Sequence, residues 1–298
     1  MNPDVSISIV AYQSRELLRE CLHSIQSNVR DLHLEIIVVD NGSDDGTVEM
    51  LSRHYPDVRL IRNDRNAGFA RPNNQAIQAS HGKYILLLNP DTIVLPQALE
   101  QLVEFADAHP QIGIVGPKVL NRDGTMQLQC RRSFATPWDL FCYFSRLSKL
   151  FPKSRLFARY LVTYRDENEI HPVDAISGSC MLIRRAMIEQ IGLLDEQFFA
   201  YQEDTDYSFR AHQAGWEVYY YPRAQIVHHA SRGGSRVDPY RSIVEWHRSY
   251  FRYYRKHLAA RYFFLFNWFY YVIMLLKLLS SLALNLLRAD KFPGSKKP

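Results

Sequence analysis

Only four cysteines occur in the 298 residues, Cys21, Cys130, Cys142 and Cys180, and no two of them form a CxxC pair. Their scatter argues against a disulfide framework or a zinc site and predicts reduced thiols in a cytosolic setting. The first apolar run leads into AYQSRE without a glycine, so the GxGxxG turn of a dinucleotide-binding fold is missing, as is a Walker A loop. Any nucleotide would then have to be held by side chains. No secretory signal precedes the first strand-like run in MNPDVSISIV, so no export is expected, and there is no internal repeat or low-complexity tract.

Net charge is +5, but it is unevenly spread. Residues 121–165 hold nine Lys/Arg and two acids, a balance of +7, and residues 241–298 hold eleven and two, a balance of +9. The rest of the chain therefore carries −11. An acidic body with two basic, aromatic-rich segments argues against a nucleic-acid partner, which calls for a basic stripe across the fold. It suits a body resting on an anionic membrane surface, although solvated basic helices without a partner would give the same composition.

SISIVAY (6–12), EIIVVD (35–40), VRLIRN (58–63) and KYILLLNPD (83–91) read as strands. Between them lie helical patterns such as RELLRECLHSI, with Leu17, Leu18, Cys21, Leu22 and Ile25 on one face, and PNNQAIQAS. Near-continuous apolar strands alternating with helices predict an α/β fold with a mostly parallel central sheet covered on both faces. Ligands bind such sheets beyond the carboxyl ends of the strands, which here carry Tyr12, Asp40, Asn63 and Asp91. AISGSCMLIRR (175–185) reads as one strand, WEVYYYP as another, and AQIVHHASRGGS leads into a Gly/Ser loop. Gly215 is expected to end the helix before WEVYYYP. The expected organisation is a catalytic unit over 1–240, with halves 1–120 and 171–240 around a basic aromatic insert at 121–170, followed by membrane-associating helices over 241–298.

The stretch YFFLFNWFYYVIMLLKLLSSLALNLL (262–287) is apolar but interrupted by Asn267, Lys277 and Asn285. Spanning helices need about 20 largely apolar residues, and the preceding WHRSYFRYYRKH resembles an interfacial belt. In-plane or monotopic association, a true span, and a dimer-forming or core helix all stay open.

Individual residues suggest chemistry. Asp40, at a strand end, can accept the imide N–H of uracil or thymine, or cap the following helix. Pro90 forces an extended bend expected to project Asp91 outward from the sheet edge, where it binds Mg²⁺ or Mn²⁺ with diphosphate oxygens and water, or merely caps a turn. His228 or His229 adds a ligand if the two strand ends meet. FAYQEDTDYSFRAHQAGW (199–216) crowds Glu203, Asp204 and Asp206 soon after Asp195. A solvated helix start favoured by the helix dipole, a metal site and an acid/base site all fit that crowding. Asp206 and Arg210, four apart, can pair.

Seven stretches together, SISIVAYQS, EIIVVDNGSDDGT, NAGFARPNNQAI, YILLLNPDTIV, SGSCMLIRR, IGLLDEQFFAYQEDTDYSFRAHQAGW and YPRAQIVHH, resemble family 2 glycosyltransferases of the GT-A fold. Within that family they are similar to the bacterial rhamnosyltransferase-like group, over about residues 5–235. The resemblance implies that Asp40 reads the pyrimidine, that Asn66, Gly68 and Phe69 lie near the nucleotide, and that Arg71 faces the diphosphate. Tyr12 and Asn89 join this donor side. Asn89-Pro90-Asp91 stands where the family has Asp-x-Asp, leaving Asp91 as the sole carboxylate, with His228 as the metal-side histidine and His229 its less favoured neighbour. Asp204, the second acid of the Glu-Asp element, is then the base, Glu203 orients acceptor or backbone groups, and Asp195 caps a turn.

The implied reaction is an inverting, Mg²⁺- or Mn²⁺-dependent transfer of a sugar from a dTDP- or UDP-sugar to a glycan or lipid-linked acceptor in cell-surface polysaccharide synthesis. Rhamnose is the sugar that the resemblance favours and a UDP-hexose the alternative. The expected location is cytoplasmic, peripheral or monotopic on the inner membrane, and a homo-oligomer stays open. A non-catalytic membrane-associated scaffold of the same fold is the competing class, which donor hydrolysis would separate. A nucleotidyltransferase lacks support, because no Gly-rich, Lys-bearing triphosphate loop is present.

Overall fold

The computed structural model describes residues 2–229 and 239–291, with side chains as far as 287. β1 (Val5–Ala11), α1 (Arg15–Asn28), β2 (Leu34–Asp40), α2 (Thr47–His54), β3 (Arg59–Arg62), α3 (Ala70–Ala79) and β4 (Tyr84–Leu88) follow the expected alternation. β5 (Thr92–Val94), α4 (Ala98–Ala108) and β6 (Ile112–Leu120) complete the first part. The insert contributes β7 (Arg131–Arg132), α5 (Pro137–Phe144) and α6 (Leu147–Leu150). Then come β8 (His171–Pro172), β9 (Ala175–Ile176), β10 (Cys180–Arg184), α7 (Arg185–Ile191), α8 (Glu203–Gln213) and β11 (Glu217–His228). α9 (Pro239–Tyr253) passes through a π-turn at Tyr254–Leu258 before α10 (Phe264–Lys291).

The sheet runs β3-β2-β1-β4-β10-β6-β11-β5, with β8 paired along β11. β3, β2, β1, β4, β6 and β11 point one way, and β10, β5 and β8 oppose them. The antiparallel β10 sits at the centre, between β4 and β6. Apolar residues on both faces bury all of β4, and β1 is nearly as inaccessible, with Ser6 and Ser8 buried through bonds to Glu35 and Asn73. AISGSCMLIRR is not one strand. Ser177-Gly178-Ser179 turns the chain, so β9 pairs with β7 in a separate ribbon and only β10 enters the large sheet. Gly215 has φ +89° and follows the end of α8, as expected. The Gly/Ser run after His229 lies outside the described residues.

A second, aromatic core joins the insert to the C-terminal helices. Leu140 and Phe198 pack with Tyr250, Tyr253, Tyr254 and Tyr270, and the Tyr250 and Tyr270 hydroxyls lie 3.0 Å apart. Two of the polar interruptions of α10, Asn267 and Lys277, are bonded back toward the preceding segments. Asn267 accepts from the Tyr254 hydroxyl at 2.5 Å and donates to the Ala259 carbonyl at 2.9 Å. Lys277 meets His247 Nε2 at 3.2 Å. Phe264–Leu287 is long and apolar enough to cross a membrane by length and composition, with a mean hydropathy of 1.7, yet one side of the helix is tied to α9.

Candidate active site

One edge of the sheet gathers most of the expected residues. Parallel register sets Ala11 beside Asp40 and Ile9 beside Leu88, so β1, β2 and β4 end together. β10 begins at that edge, with Cys180 opposite Leu88, and β11 ends there at His228. The Ser177-Gly178-Ser179 turn is the hinge of the arrangement. The Ser179 carbonyl accepts from Asn89 N at 3.0 Å, and Gly178 N donates to Asp204 Oδ2 at 3.0 Å.

Asp91 and His228 do meet, with Oδ1 and Nε2 3.1 Å apart. Asp91 is buried at 5% exposure and does not project from the edge as the Pro90 bend suggested, because β5 and β11 pair across it and His229 N donates to its carbonyl at 2.8 Å. Asn89 belongs to this cluster, its Nδ2 lying 3.2 Å from His228 Nε2. His229 is turned toward Arg122 and Glu20, which leaves His228 as the cluster's imidazole.

Gln127, from the insert, determines how His228 is presented. Its Nε2 donates to the His228 carbonyl at 2.7 Å, so its Oε1 is the atom 2.9 Å from Nδ1. A carbonyl oxygen only accepts, so Nδ1 carries a hydrogen, and Nε2 is the nitrogen that faces Asp91. The Asp91 carboxylate and the Asn89 amide both border Nε2. Among the described residues, no three His, Cys, Asp or Glu side chains converge as metal ligands. An Asp–His pair can hold Mg²⁺ or Mn²⁺, cations that accept few protein ligands and complete their shell with phosphate and water.

Asp204 is held at four points. Oδ2 accepts from Arg132 Nη2 at 2.5 Å and from Gly178 N, and Oδ1 accepts from Thr205 N at 2.7 Å and Thr205 Oγ1 at 3.1 Å. Glu203 beside it differs: its Oε2 is buried without a partner. Burial first, and the Asp204 charge second, push its carboxyl up to about 8. Both acids start α8 directly after Tyr201 and Gln202, which have φ of +67° and +64°. Two successive left-handed non-glycine residues cost about 1–3 kcal/mol each, a strain that fixes where the helix begins. Asp206 is structural, as its pairing with Arg210 at 3.0 Å suggested, and Lys256 and His257 each add a contact at 2.7 Å. Burial works to raise its carboxyl, but the bonds from His257 and Lys256 win and hold it below the usual range. Asp195 closes a turn to Gln197 N at 3.0 Å.

Two cavities flank these groups. One of about 590 Å³ is lined by Tyr12, Asn66 and Arg71 together with Arg65, Phe199 and Arg241. Asp40 lies two residues before Gly42 of that lining, and its Oδ1 is buried without a partner. Asn66 and Gly68 shape the loop: Asn66 Oδ1 accepts from Gly68 N at 2.9 Å. A second cavity, of about 510 Å³, is bounded by His228, Gln127, Gln129, Asn121, Ser177 and Ser179. Neutral amides and hydroxyls of this kind suit a sugar's hydroxyl groups. The sequence reading missed Gln127, Arg132, Arg65 and Arg241.

A central mixed sheet with these groups at its C-terminal edge is the GT-A fold of glycosyltransferases. A mannosyltransferase from Pyrobaculum calidifontis, solved with GDP-Man and Mn²⁺, shares it with a TM-score of 0.58 at 18% identity, over 86% of this chain and 65% of that one. GalNAc-T7, solved with UDP, GalNAc and Mn²⁺, aligns at 0.56 and 18%, over 76% and 44%. The chain belongs to Glycosyl transferase family 2, whose family model matches residues 6–192. The N-acetylglucosaminyl-diphospho-decaprenol L-rhamnosyltransferase of Mycobacterium tuberculosis is 28% identical over 261 residues, 84% of this chain and 83% of its own length. The low-salt glycan biosynthesis hexosyltransferase Agl10 of Haloferax volcanii is 31% identical over 215 residues, 71% and 62% of the two chains.

Proposed function

We propose that this glycosyltransferase moves rhamnose from dTDP-rhamnose, with inversion, to a lipid-linked glycan acceptor in cell-surface polysaccharide synthesis. The observation that carries the reading is the single sheet edge on which the Asp91–His228 pair and Asp204 flank the Ser177-Gly178-Ser179 turn. The buried, unpartnered Oδ1 of Asp40 would accept the imide N–H of thymine or uracil. Arg65 and Arg71, in the neighbouring cavity, would face the diphosphate. Asp91 and His228, with Asn89 beside them, would hold a divalent cation that neutralises charge growing on the departing diphosphate.

The acceptor oxygen bonds to the anomeric carbon as the bond from that carbon to the diphosphate oxygen breaks, and Asp204 takes the hydroxyl proton. All of the Asp204 lone-pair sites are occupied, so the acceptor must displace one donor. The Thr205 hydroxyl, at 3.1 Å, is the longest of the four contacts. One carboxylate acting in line inverts the centre, whereas a retaining double displacement needs a second carboxylate as nucleophile. We place the enzyme on the cytoplasmic face of the inner membrane, supported by the apolar outer side of α10 and the basic residues before it.

Thermal shift with dTDP-rhamnose and UDP-hexoses, each with Mg²⁺ or Mn²⁺, would identify the donor, because a bound donor stabilises the fold by mass action. Asp204→Asn should cut transfer about 10²–10⁴-fold while keeping donor stabilisation. Asp91→Ala should lose the metal-dependent part of that stabilisation. Full turnover by Asp204→Asn would remove it as the base, and UDP-hexose as the stabilising donor would replace rhamnose.

A further inference from the structure

The insert touches the catalytic edge on its inner side and solvent on its outer side. Inside, Arg132 pairs with Asp204 at 2.5 Å, while Phe134 packs on Phe209 of α8 with centroids 4.9 Å apart. Outside, α5 begins at a capping box of Thr136 and Asp139 and carries Trp138, Phe141 and Phe144 at helical spacing. All three are exposed, Phe141 at 56%. Phe157 extends the strip through ring contacts with Trp138 and Phe151, and Leu150 and Leu156 stand out beside it at 69% and 58%. A soluble surface rarely leaves so continuous an apolar strip uncovered.

The strip runs into α10. Lys277 lies 4.1 Å from the Phe144 ring centroid and 4.6 Å from that of Trp246, joining α5, α9 and α10. The outer side of α10 continues with Trp268, Leu275 and Leu279, all exposed. Charge identifies what covers this surface. Residues 140–165 hold six Lys/Arg and no acid, interleaved with the exposed aromatics. A second copy meeting face to face would oppose these like charges, whereas anionic lipid headgroups neutralise them while the rings enter the interface.

We propose that the outer face of the insert is a bilayer contact, forming with α10 one membrane-facing surface of an anionic leaflet. The inference deepens the membrane location given above and does not depend on the identity of the donor. It gives the insert two jobs: seating α5 and the following turn in the headgroup layer, and presenting Arg132 to Asp204 from that membrane-seated element. A lipid-borne acceptor then meets the base at the height at which the insert rests.

The test uses the full chain with Phe141→Ser, Leu150→Ser and Leu156→Ser combined, all exposed positions, so that the melting temperature stays near that of the wild type. Co-sedimentation with phosphatidylglycerol-containing vesicles should weaken at least about tenfold. The wild type should bind pure phosphatidylcholine vesicles far less. Donor-induced thermal shift should be unchanged, which separates failure here from failure of the transferase reading. Vesicle binding equal to the wild type overturns the proposal. So does a wild-type dimer in solution that the triple variant converts to monomer, because the covering partner would then be a second copy.

Discussion

Glu203 and Asp204 are neighbours that live in opposite electrostatic conditions. Asp204 has Arg132 and three further donors on its carboxylate, while Glu203 has a buried oxygen with none. Burial, then the adjacent Asp204 charge, lift Glu203 to about 8 from its ordinary 4.5, so near neutral pH it holds a proton. Between those two values the folded state keeps a proton that the unfolded chain releases. The stability contributed is present below the unfolded value and is lost as pH rises through the folded one, with a slope of about 1.4 kcal/mol per pH unit. Glu203→Gln keeps the shape and removes that slope. Its melting temperature should match the wild type near the acid end of the window and exceed it increasingly toward the alkaline end. A difference that stays constant across the window in calorimetric melts would mean that Glu203 is ionised in the fold.

At the scale of elements, the loop before α8 is fixed by a contact with the start of α3. Phe69 N donates to the Phe199 carbonyl at 2.6 Å, and a Cβ on Gly68 would sit 2.1 Å from that same oxygen. With φ at +89°, Gly68 is the residue that allows the approach. It was expected on the donor side, and in the structure it lets its own loop and the acidic loop touch. Gly68→Ala should destabilise by about 1–3 kcal/mol from backbone strain, with more from the clash, read as a lower urea midpoint at unchanged slope. A midpoint equal to the wild type would show that the two loops separate freely. Strand ends such as Tyr12, Asp40 and Asn89 were legible because an apolar run stops at a polar residue. Gln127 and Arg132 were not legible. Their partners, His228 and Asp204, lie 101 and 72 residues away, and nothing in the local pattern announces such contacts. The SGS turn hid for a related reason: Ala175–Ile176 and Cys180–Arg184 are both apolar, and only the pairing partners separate them.

Across the whole molecule, the sheet does not follow the order of the chain. β10, from residues 180–184, lies between β4 and β6, and β11 pairs along β6. β11 also carries His228 to Asp91, while the aromatic core ties the insert to α9 and α10. Alternation of strands and helices along 1–90 announced a parallel sheet, and six strands do share a direction, but the antiparallel strand at its centre has no signature in apolar runs. A fragment of residues 1–170 should therefore not fold on its own. It leaves β4 with one free edge, deprives β6 of both neighbours, and exposes Leu86, Leu88, Ile114 and Val115, which are buried in the intact chain. Unpaired apolar edges of that kind associate with one another. Circular dichroism should show no cooperative melt for the fragment, against one transition for the intact sheet, and light scattering should show aggregates. A cooperative melt by a monomeric fragment would mean that the first four parallel strands and their helices hold together without β10.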